Sequence, residues 1–255
     1  MWNSLSSSQS GKSQASKKIA QTDDIFNNIF EYDKQATNAK VKRVSIDCKA
    51  TVNIGDYSRG GKTRGDNQAS DHDMGCTEKY IPCGIVDEDS GQVYINFGSS
   101  SKTSDFIVDS LIQWWKAITP EERIHTELIQ IKVDNGPESS GVRTQFLNRM
   151  VEFVDQIQTP IQLVYYPPYH SKYNPIERCW GILEQHWNGG KLVDVEAMLS
   201  WASSMTWKGL RPILTLSKTI YQKGISLTKK AMKPIESRLQ RNPLLPKWDV
   251  LIQPL

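Results

Sequence analysis

The order of secondary-structure elements between residues 41 and 187 constrains the fold of this chain more than any other feature. Runs of β-branched and aromatic residues predict strands, and apolar residues spaced three or four apart predict helices. The predicted strands cover residues 41–46 with a continuation at 49–54, then 80–86, 92–97, 127–133 and 161–166, and the predicted helices cover 104–117, 142–156 and 175–187. Antiparallel strands come first and crossover helices follow. This order predicts an α/β fold with a mixed five-stranded sheet and helices on both faces.

Composition divides the chain into three parts. Residues 1–22 are polar and of low complexity, so we expect them to be disordered. Residues 40–190 are expected to form the α/β domain, and residues 191–255 a basic, helical C-terminal extension. Within the extension, residues 207–247 carry ten Lys or Arg and one acid, Glu236. This excess fits a surface for the DNA backbone as well as a solvated basic tail, and charge alone does not decide between them.

The overall composition excludes several classes of protein. With 38% hydrophobic and 23% charged residues, the chain has no run near the roughly 20 apolar residues of a membrane span. Four cysteines in 255 residues are too few for a disulfide scaffold. The spacing of His72, Cys76 and Cys83 matches no common zinc pattern. We therefore expect no membrane partner and a cytoplasmic location.

Three acids occupy positions where elements begin or end. Asp47 ends the first predicted strand, and Asp134 follows the strand 127–133, at the end where open α/β sheets place ligands. Glu177 lies in the first turn of the last helix, which Asn174 is expected to cap and Pro175 to begin. Any one of these acids alone would be an ordinary surface or capping carboxylate.

Three carboxylates together could form a metal site that cleaves or transfers phosphodiester bonds. Two divalent cations held by carboxylates can activate an oxygen nucleophile and stabilise the leaving oxygen. Mg²⁺ keeps several waters, so a few carboxylates suffice to hold it. The sequence therefore predicts Asp47, Asp134 and Glu177 as catalytic residues and as ligands of two Mg²⁺ or Mn²⁺ ions.

A glycine one turn after Glu177 has two explanations. Gly181 lies inside the predicted helix, where glycine costs about 1 kcal/mol relative to alanine. A metal ion or phosphate that approaches the helix would explain it, and so would close packing against another helix. Because Asp47, Asp134 and Glu177 are also present, we favour the approach of a metal ion or phosphate.

Several short motifs resemble those of DDE transposases, a family within the RNase H-like superfamily. Residues 133–136 (VDNG) and 174–180 (NPIERCW) are similar to the segments that carry the second and third acids in mariner-like and related enzymes. More specifically, the chain resembles the ISAzo-type bacterial insertion-sequence transposases, also called the Rhodopirellula transposase family. That resemblance rests on residues 45–50 (SIDCKA), 54–61 (IGDYSRGG), 71–73 (DHD) and 247–249 (KWD).

The resemblance implies an RNase H-like fold and a magnesium-dependent enzyme that cuts and joins DNA. Transposon ends and target DNA would be its partners, a homodimer on DNA its active form, and the bacterial nucleoid its location. By position, Asp47, Asp134 and Glu177 match the first, second and third acids. The expected DNA-binding residues are Arg59, Lys62 and Arg64 in a Gly-rich segment that can approach phosphates, and His170, Lys172 and Asn174 before Glu177. The latter group could instead orient the third acid.

One departure from the family concerns the N-terminal region. Only about 40 residues precede Asp47, and about 22 of them are of low complexity. This is too little for a DNA-recognition domain of the usual kind. We therefore expect a catalytic region without the end-recognition domain, either truncated or encoded separately. The alternatives are an inactive DNA-binding remnant and an RNase H-like nuclease without strand transfer.

Overall fold

The computed structural model describes residues 19–35, 40–55 and 76–255. The helices in these residues are α1 Thr22–Gln35, α2 Ser104–Ala117, α3 Pro120–His125, α4 Thr144–Ile157, α5 Pro175–Trp187, α6 Val195–Ser204 and α7 Lys229–Glu236. The strands are β1 Val41–Cys48, β2 Val52–Gly55, β3 Cys76–Asp87, β4 Val93–Gly98, β5 Leu128–Asp134, β6 Ile161–Tyr166, β7 Ile213–Ser217, β8 Leu239–Arg241 and β9 Asp249–Ile252. No helix within these ranges is long and apolar enough to cross a bilayer.

The strands form one mixed sheet in the order β7-β4-β3-β1-β5-β6-β9-β8, with β2 paired to β3. At its centre β1 runs parallel to β5 and antiparallel to β3, and β5 runs parallel to β6. The mixed sheet of the prediction is confirmed, but the described residues contribute nine strands to it where five were expected. One addition is β2, which the structure separates from β1.

The other additional strands come from the C-terminal residues. The expected helical extension contains α6 and α7, but it also supplies β7 to one edge of the sheet and β9 and β8 to the other. These strands have three to five residues, too few for a clear alternating pattern in the sequence. Tertiary pairing with β4 and β6 therefore decides their structure.

Helices cover both faces of the sheet, as predicted. On one face, α2 and α4 pack with alternate residues of the central strands, such as Val44 and Ile46 of β1. On the other face, α5 and α6 pack with residues such as Val86 of β3 and Ile95 of β4. Because successive side chains of a strand point to opposite faces, β3 contributes to both layers, whereas the buried apolar residues of β1 and β5 all belong to the first layer.

Helix α1 joins the N-terminal part to the last strand. Helix α1, which buries Ile25 and Ile29 in the core, was not predicted from the sequence. The Tyr32 hydroxyl donates to Asp249 Oδ1 at 3.2 Å, and Asn242 Nδ2 donates to Asp249 Oδ2 at 2.8 Å. Asp249 of the Lys-Trp-Asp motif is thus a buried structural carboxylate. Of the N-terminal residues expected to be disordered, 1–18 lie outside the described residues, and 19–22 lead into α1.

Candidate active site

Two parallel strands bring two of the predicted acids together. Strand β1 pairs with β5 so that Ser45 lies beside Lys132 and Ile46 beside Val133. Asp47 and Asp134 are the next residues of these strands, at the carboxyl ends and on the same face of the sheet. Both side chains are partly buried. Acids 87 positions apart in the sequence thus become neighbours at the end of the sheet where α/β folds place ligands.

Helix α5 brings the third acid to the same place. The Asn174 side chain caps this helix by accepting from the Ile176 backbone N–H at 3.4 Å, as predicted, and Glu177 lies in the first turn. Gly84 of β3 lies opposite Asp47. A Cβ at Gly84 would come within 2.5 Å of the Trp180 ring, so only glycine lets α5 lie this close to the sheet. Gly84 was not predicted as a site residue, although a glycine inside a predicted strand is a signal of close approach.

Burial and mutual repulsion act on the charges of this acidic cluster, which we define as Asp47, Asp134 and Glu177. Burial raises the pKa of Asp47 to about 6; Lys102 opposes the rise, and the charges of Asp134 and Glu177 add to it. Burial also raises the pKa of Asp134, opposed by the amide of Asn174 and reinforced by Glu177. The fold therefore holds the acids close enough for charge repulsion: Asp134 and Glu177 both raise the pKa of Asp47, and Glu177 raises the pKa of Asp134.

The donor set of the cluster suits a hard divalent cation. Carboxylate oxygens are the ligands that Mg²⁺ prefers, and a cation between Asp47 and Asp134 would offset the repulsion that raises their pKa values. Across the described ranges, no three His, Cys, Asp or Glu side chains stand close enough to surround a single ion. The donor chemistry fits such a cation, and the three acids would have to move closer together to bind one ion jointly.

Asn174 and His170 lie beneath the surface. Asn174 is fully buried, and its Nδ2 donates to Asp134 Oδ1 at 3.3 Å and to the Ile46 carbonyl oxygen at 3.2 Å. His170 is 4% exposed, with Nδ1 2.7 Å from the Pro168 carbonyl oxygen and its ring packed against Phe26. This burial speaks against the expected contacts with DNA phosphate. It agrees with the alternative role, in which Asn174 orients an acid, although that acid is Asp134.

The other expected DNA-binding residues have different surroundings. Lys172 is exposed, and its Nζ lies 5.2 Å from the centroid of the Tyr173 ring. Arg59, Lys62 and Arg64 lie outside the described residues, so their role stays a prediction. Gly181 is exposed on α5, and a Cβ there would meet no atom within 4 Å. Within the described ranges, close helix packing therefore does not explain this glycine, and no residue there covers the surface of Gly181 beside Glu177.

A lysine that the sequence analysis did not identify borders the acidic cluster. Lys102 precedes α2, and its Nζ lies 3.4 Å from the carbonyl oxygen of Cys48. Together with Asp47, Asp134 and Ser139 it lines a small cavity at the strand ends. Its position in a Ser-rich connection carries no motif, so only the folded chain shows that it is near the acids.

Comparison with known proteins relates the chain to DNA-processing enzymes. Residues 3–254 match the family described as Rhodopirellula transposase DDE domain. No curated protein is similar enough in sequence to match. Among solved structures, the Mos1 transposase paired-end complex with left transposon end has a TM-score of 0.53 at 13% identity, covering 77% of this chain and 57% of that chain.

Two further structures give the same result. The Mos1 mariner paired end complex with Mn has a TM-score of 0.54 at 11% identity, covering 76% of this chain and 57% of that chain. The pre-cleavage Mos1 transpososome has a TM-score of 0.53 at 10% identity, covering 77% and 58%. The chain thus spans less than two thirds of the length of these Mos1 chains. At such low identity the likeness establishes the fold, and it confirms the RNase H-like architecture.

Proposed function

Because the chain belongs to the Rhodopirellula transposase DDE domain family, we propose that it cuts DNA at the ends of an insertion sequence and joins the freed ends to target DNA. Asp47, Asp134 and Glu177 are the catalytic acids of this proposal. The observation that carries it is the placement of Asp47 and Asp134 at the ends of two adjacent parallel strands, with the helix of Glu177 held over Gly84.

The same three carboxylates are proposed to hold two Mg²⁺ or Mn²⁺ ions. Their oxygens are suitable donors, and a Mos1 mariner paired end complex contains Mn. When bound, such ions activate an attacking oxygen and stabilise a leaving oxygen in phosphoryl transfer. The role of Asn174 is to orient Asp134 through its amide while it caps the helix that carries Glu177.

DNA is the proposed partner, and the C-terminal basic residues are proposed to contribute to its binding. Arg238 and Arg241 have internal roles, since they pair with Asp155 at 2.7 Å and Glu236 at 2.5 Å. The other eight basic residues of segment 207–247 are all exposed: Lys208, Arg211, Lys218, Lys223, Lys229, Lys230, Lys233 and Lys247. Lys172 and the segment with Arg59, Lys62 and Arg64 would add contacts near the acids. We further propose that two copies act together on paired DNA ends in a bacterial nucleoid.

The test is cleavage and strand transfer on the terminal DNA of the element, with Mg²⁺ or Mn²⁺. The wild type is compared with Asp134→Asn and with Glu127→Gln, a control at the opposite end of the same strand, where the carboxylate is exposed. The proposal expects metal-dependent products from the wild type and the control and none from Asp134→Asn. Joining of pre-cut ends separates a transposase from a simple nuclease. A folded wild type that binds DNA without cutting it would identify an inactive remnant.

A further inference from the structure

Lys102 is held in place by the start of helix α2. The next residue, Thr103, is buried and caps the helix by accepting from the Phe106 backbone N–H at 3.2 Å. Ser104 is also buried, and its hydroxyl donates to the Glu138 carbonyl oxygen at 2.8 Å. Two anchored residues therefore fix the backbone from which the Lys102 side chain extends to the end of β1.

The Lys102 side chain lies beside the acids without pairing with them. Its Nζ donates to the Cys48 carbonyl oxygen at the long distance of 3.4 Å, and the side chain remains exposed to solvent. In the described part of the chain it forms no ion pair with a carboxylate. Its positive charge nevertheless lowers the pKa of both Asp47 and Asp134 against the effect of burial. The ammonium is thus near the site and has protons available for another acceptor.

Lys49 and Arg143 differ from Lys102 because acids engage them. Lys49 pairs with Glu184 at 2.7 Å, and Arg143 pairs with Glu138 at 3.2 Å. A ligand would have to displace a carboxylate to bind either of these side chains. At Lys102 it would replace only a weak contact with a backbone carbonyl.

We propose that Lys102 binds a non-bridging phosphate oxygen of the DNA strand next to the bond that is cut. The inference rests on the proposed function, because it requires DNA at the acidic cluster. A phosphate oxygen is a suitable acceptor because lysine binds phosphates as a point charge. The position beside the ends of β1 and β5 would hold that phosphate against the acids that act on it. The competing explanation is that Lys102 only neutralises the acids.

The salt dependence of DNA binding separates these explanations. Each phosphate contact contributes about 0.9 to the slope of log binding constant against log salt concentration. Binding of a 30-base-pair duplex is measured in the presence of Mg²⁺, in an Asp134→Asn background that keeps the DNA intact. Lys102→Met is expected to reduce the slope by about 0.9, and Lys102→Arg is expected to retain it. Lys116→Met is the matched control, because Lys116 is exposed in the last turn of α2, about 20 Å along the helix.

A second measurement reports on the acids alone. Calorimetry of Mg²⁺ binding to the DNA-free protein with Asp134 intact should give Lys102→Met an affinity at least equal to that of the wild type, which excludes loss of the metal as the cause of a reduced salt slope. If Lys102 only neutralises the acids, the variant gains Mg²⁺ affinity and the salt slope stays unchanged. That result would overturn the inference, as would an equal loss of slope in Lys116→Met. If the wild type cuts DNA and Lys102→Met leaves the salt slope of DNA binding unchanged, only the role of Lys102 is refuted. If the folded wild type binds no DNA, the proposed function is refuted as well.

Discussion

Two groups of charged side chains lie on one face of the sheet, around strands β1 and β5, and their surroundings differ. The first, the ion-pair cluster, consists of Asp33, Arg43, Glu88 and Lys132. Lys132 Nζ lies 2.5 Å from Asp33 Oδ1 and 2.6 Å from Glu88 Oε2. The second is the acidic cluster, in which Asp134 lies two residues beyond Lys132 on β5, or roughly 7 Å, and Asp47 lies four residues beyond Arg43 on β1. Asp47 and Asp134 of this cluster lie near the charge of Lys102, and among the described residues no ion pair engages any of the three acids.

The difference between the clusters separates stability from function. A buried charge is costly to the fold unless a partner compensates for it. In the ion-pair cluster acids and bases satisfy each other, so removal of one partner leaves an uncompensated charge. In the acidic cluster the repulsion already exists, so removal of one charge relieves it. Substitutions in the two clusters should therefore change stability in opposite directions, and only those in the acidic cluster should affect chemistry directly.

The largest expected effect is the loss of activity in Asp47→Asn. The neutral amide cannot replace a carboxylate at a metal site, and a loss of several kcal/mol of transition-state stabilisation corresponds to a decrease on the order of 1000-fold in cleavage rate. Single-turnover cleavage of terminal DNA measures it, with Glu127→Gln as the active control. Substantial cleavage by folded Asp47→Asn would remove this aspartate from the catalytic site.

Lys132→Met in the ion-pair cluster is expected to lower stability, whereas removal of a charge from the acidic cluster should raise it. Lys132 is 4% exposed in its side chain, and its loss leaves Glu88 buried without this partner. Breaking such a buried pair costs about 3–5 kcal/mol in the free energy of unfolding. Urea denaturation measures the loss, and Lys40→Met is the control, because the Lys40–Glu127 pair is exposed and worth at most about 1 kcal/mol. Equal losses in the two variants would contradict the distinction between the clusters.

A pH series sharpens the comparison at Asp47. Its pKa is about 6 in the folded protein against 3.8 for the unperturbed side chain, so the folded state binds the proton more tightly. The stabilisation from this proton is fully present below pH 3.8 and is lost as the pH rises through 6. Above pH 7, metal-free wild type should therefore be less stable than Asp47→Asn.

The size of that difference has an upper limit. The shift corresponds to about 3 kcal/mol at most, and solvent screening at this partly exposed site reduces it. Urea denaturation between pH 4 and 8 in the presence of a chelator should show the two stabilities converge at the acidic end. A constant difference across the series would mean that Asp47 titrates in the folded protein as it does in the unfolded chain.

The two clusters also show which parts of the site the sequence could predict. The bounds of α5, its Asn174 cap and the strand end at Asp134 depend on local periodicity and capping, so the predictions agree with the structure. The partners of charged strand residues depend on distant parts of the chain. Lys132 pairs with an acid 99 positions away in α1, a helix that was not predicted.

Lys102 and Gly84 were missed for the same reason, since their neighbours come from other elements. From the sequence alone, Lys132 and Asp134 are simply two charged residues at the end of one strand. The fold decides which of them forms ion pairs and which does not. The assignment of the acids therefore came from the family resemblance and their position at strand ends, while the structural charges emerged only from the folded chain.

Asn174→Ala tests the link between helix α5 and the acidic cluster. The substitution removes the cap of α5, worth about 1 kcal/mol, and the amide that lowers the pKa of Asp134. We expect a modest loss of stability together with a larger loss of cleavage, most evident at low pH, where Asp134 would be protonated more readily. Asp194→Ala removes the corresponding cap of α6 and serves as the control. The same decrease in cleavage in both variants would reduce Asn174 to a helix cap.

A small effect of the opposite sign on stability is expected at Gly181, one turn after Glu177 on α5. Since a Cβ there meets no atom within 4 Å, Gly181→Ala should stabilise α5 by about 1 kcal/mol through helix propensity alone. If DNA or a metal-bound phosphate approaches this surface, the same methyl group should lower cleavage while the unfolding midpoint rises. Gln185→Ala, at an exposed position of the same helix, should leave both nearly unchanged. A stabilised and fully active Gly181→Ala would show that the acidic cluster is approached from another side, and the phosphate site proposed at Lys102 would then be the one to map next.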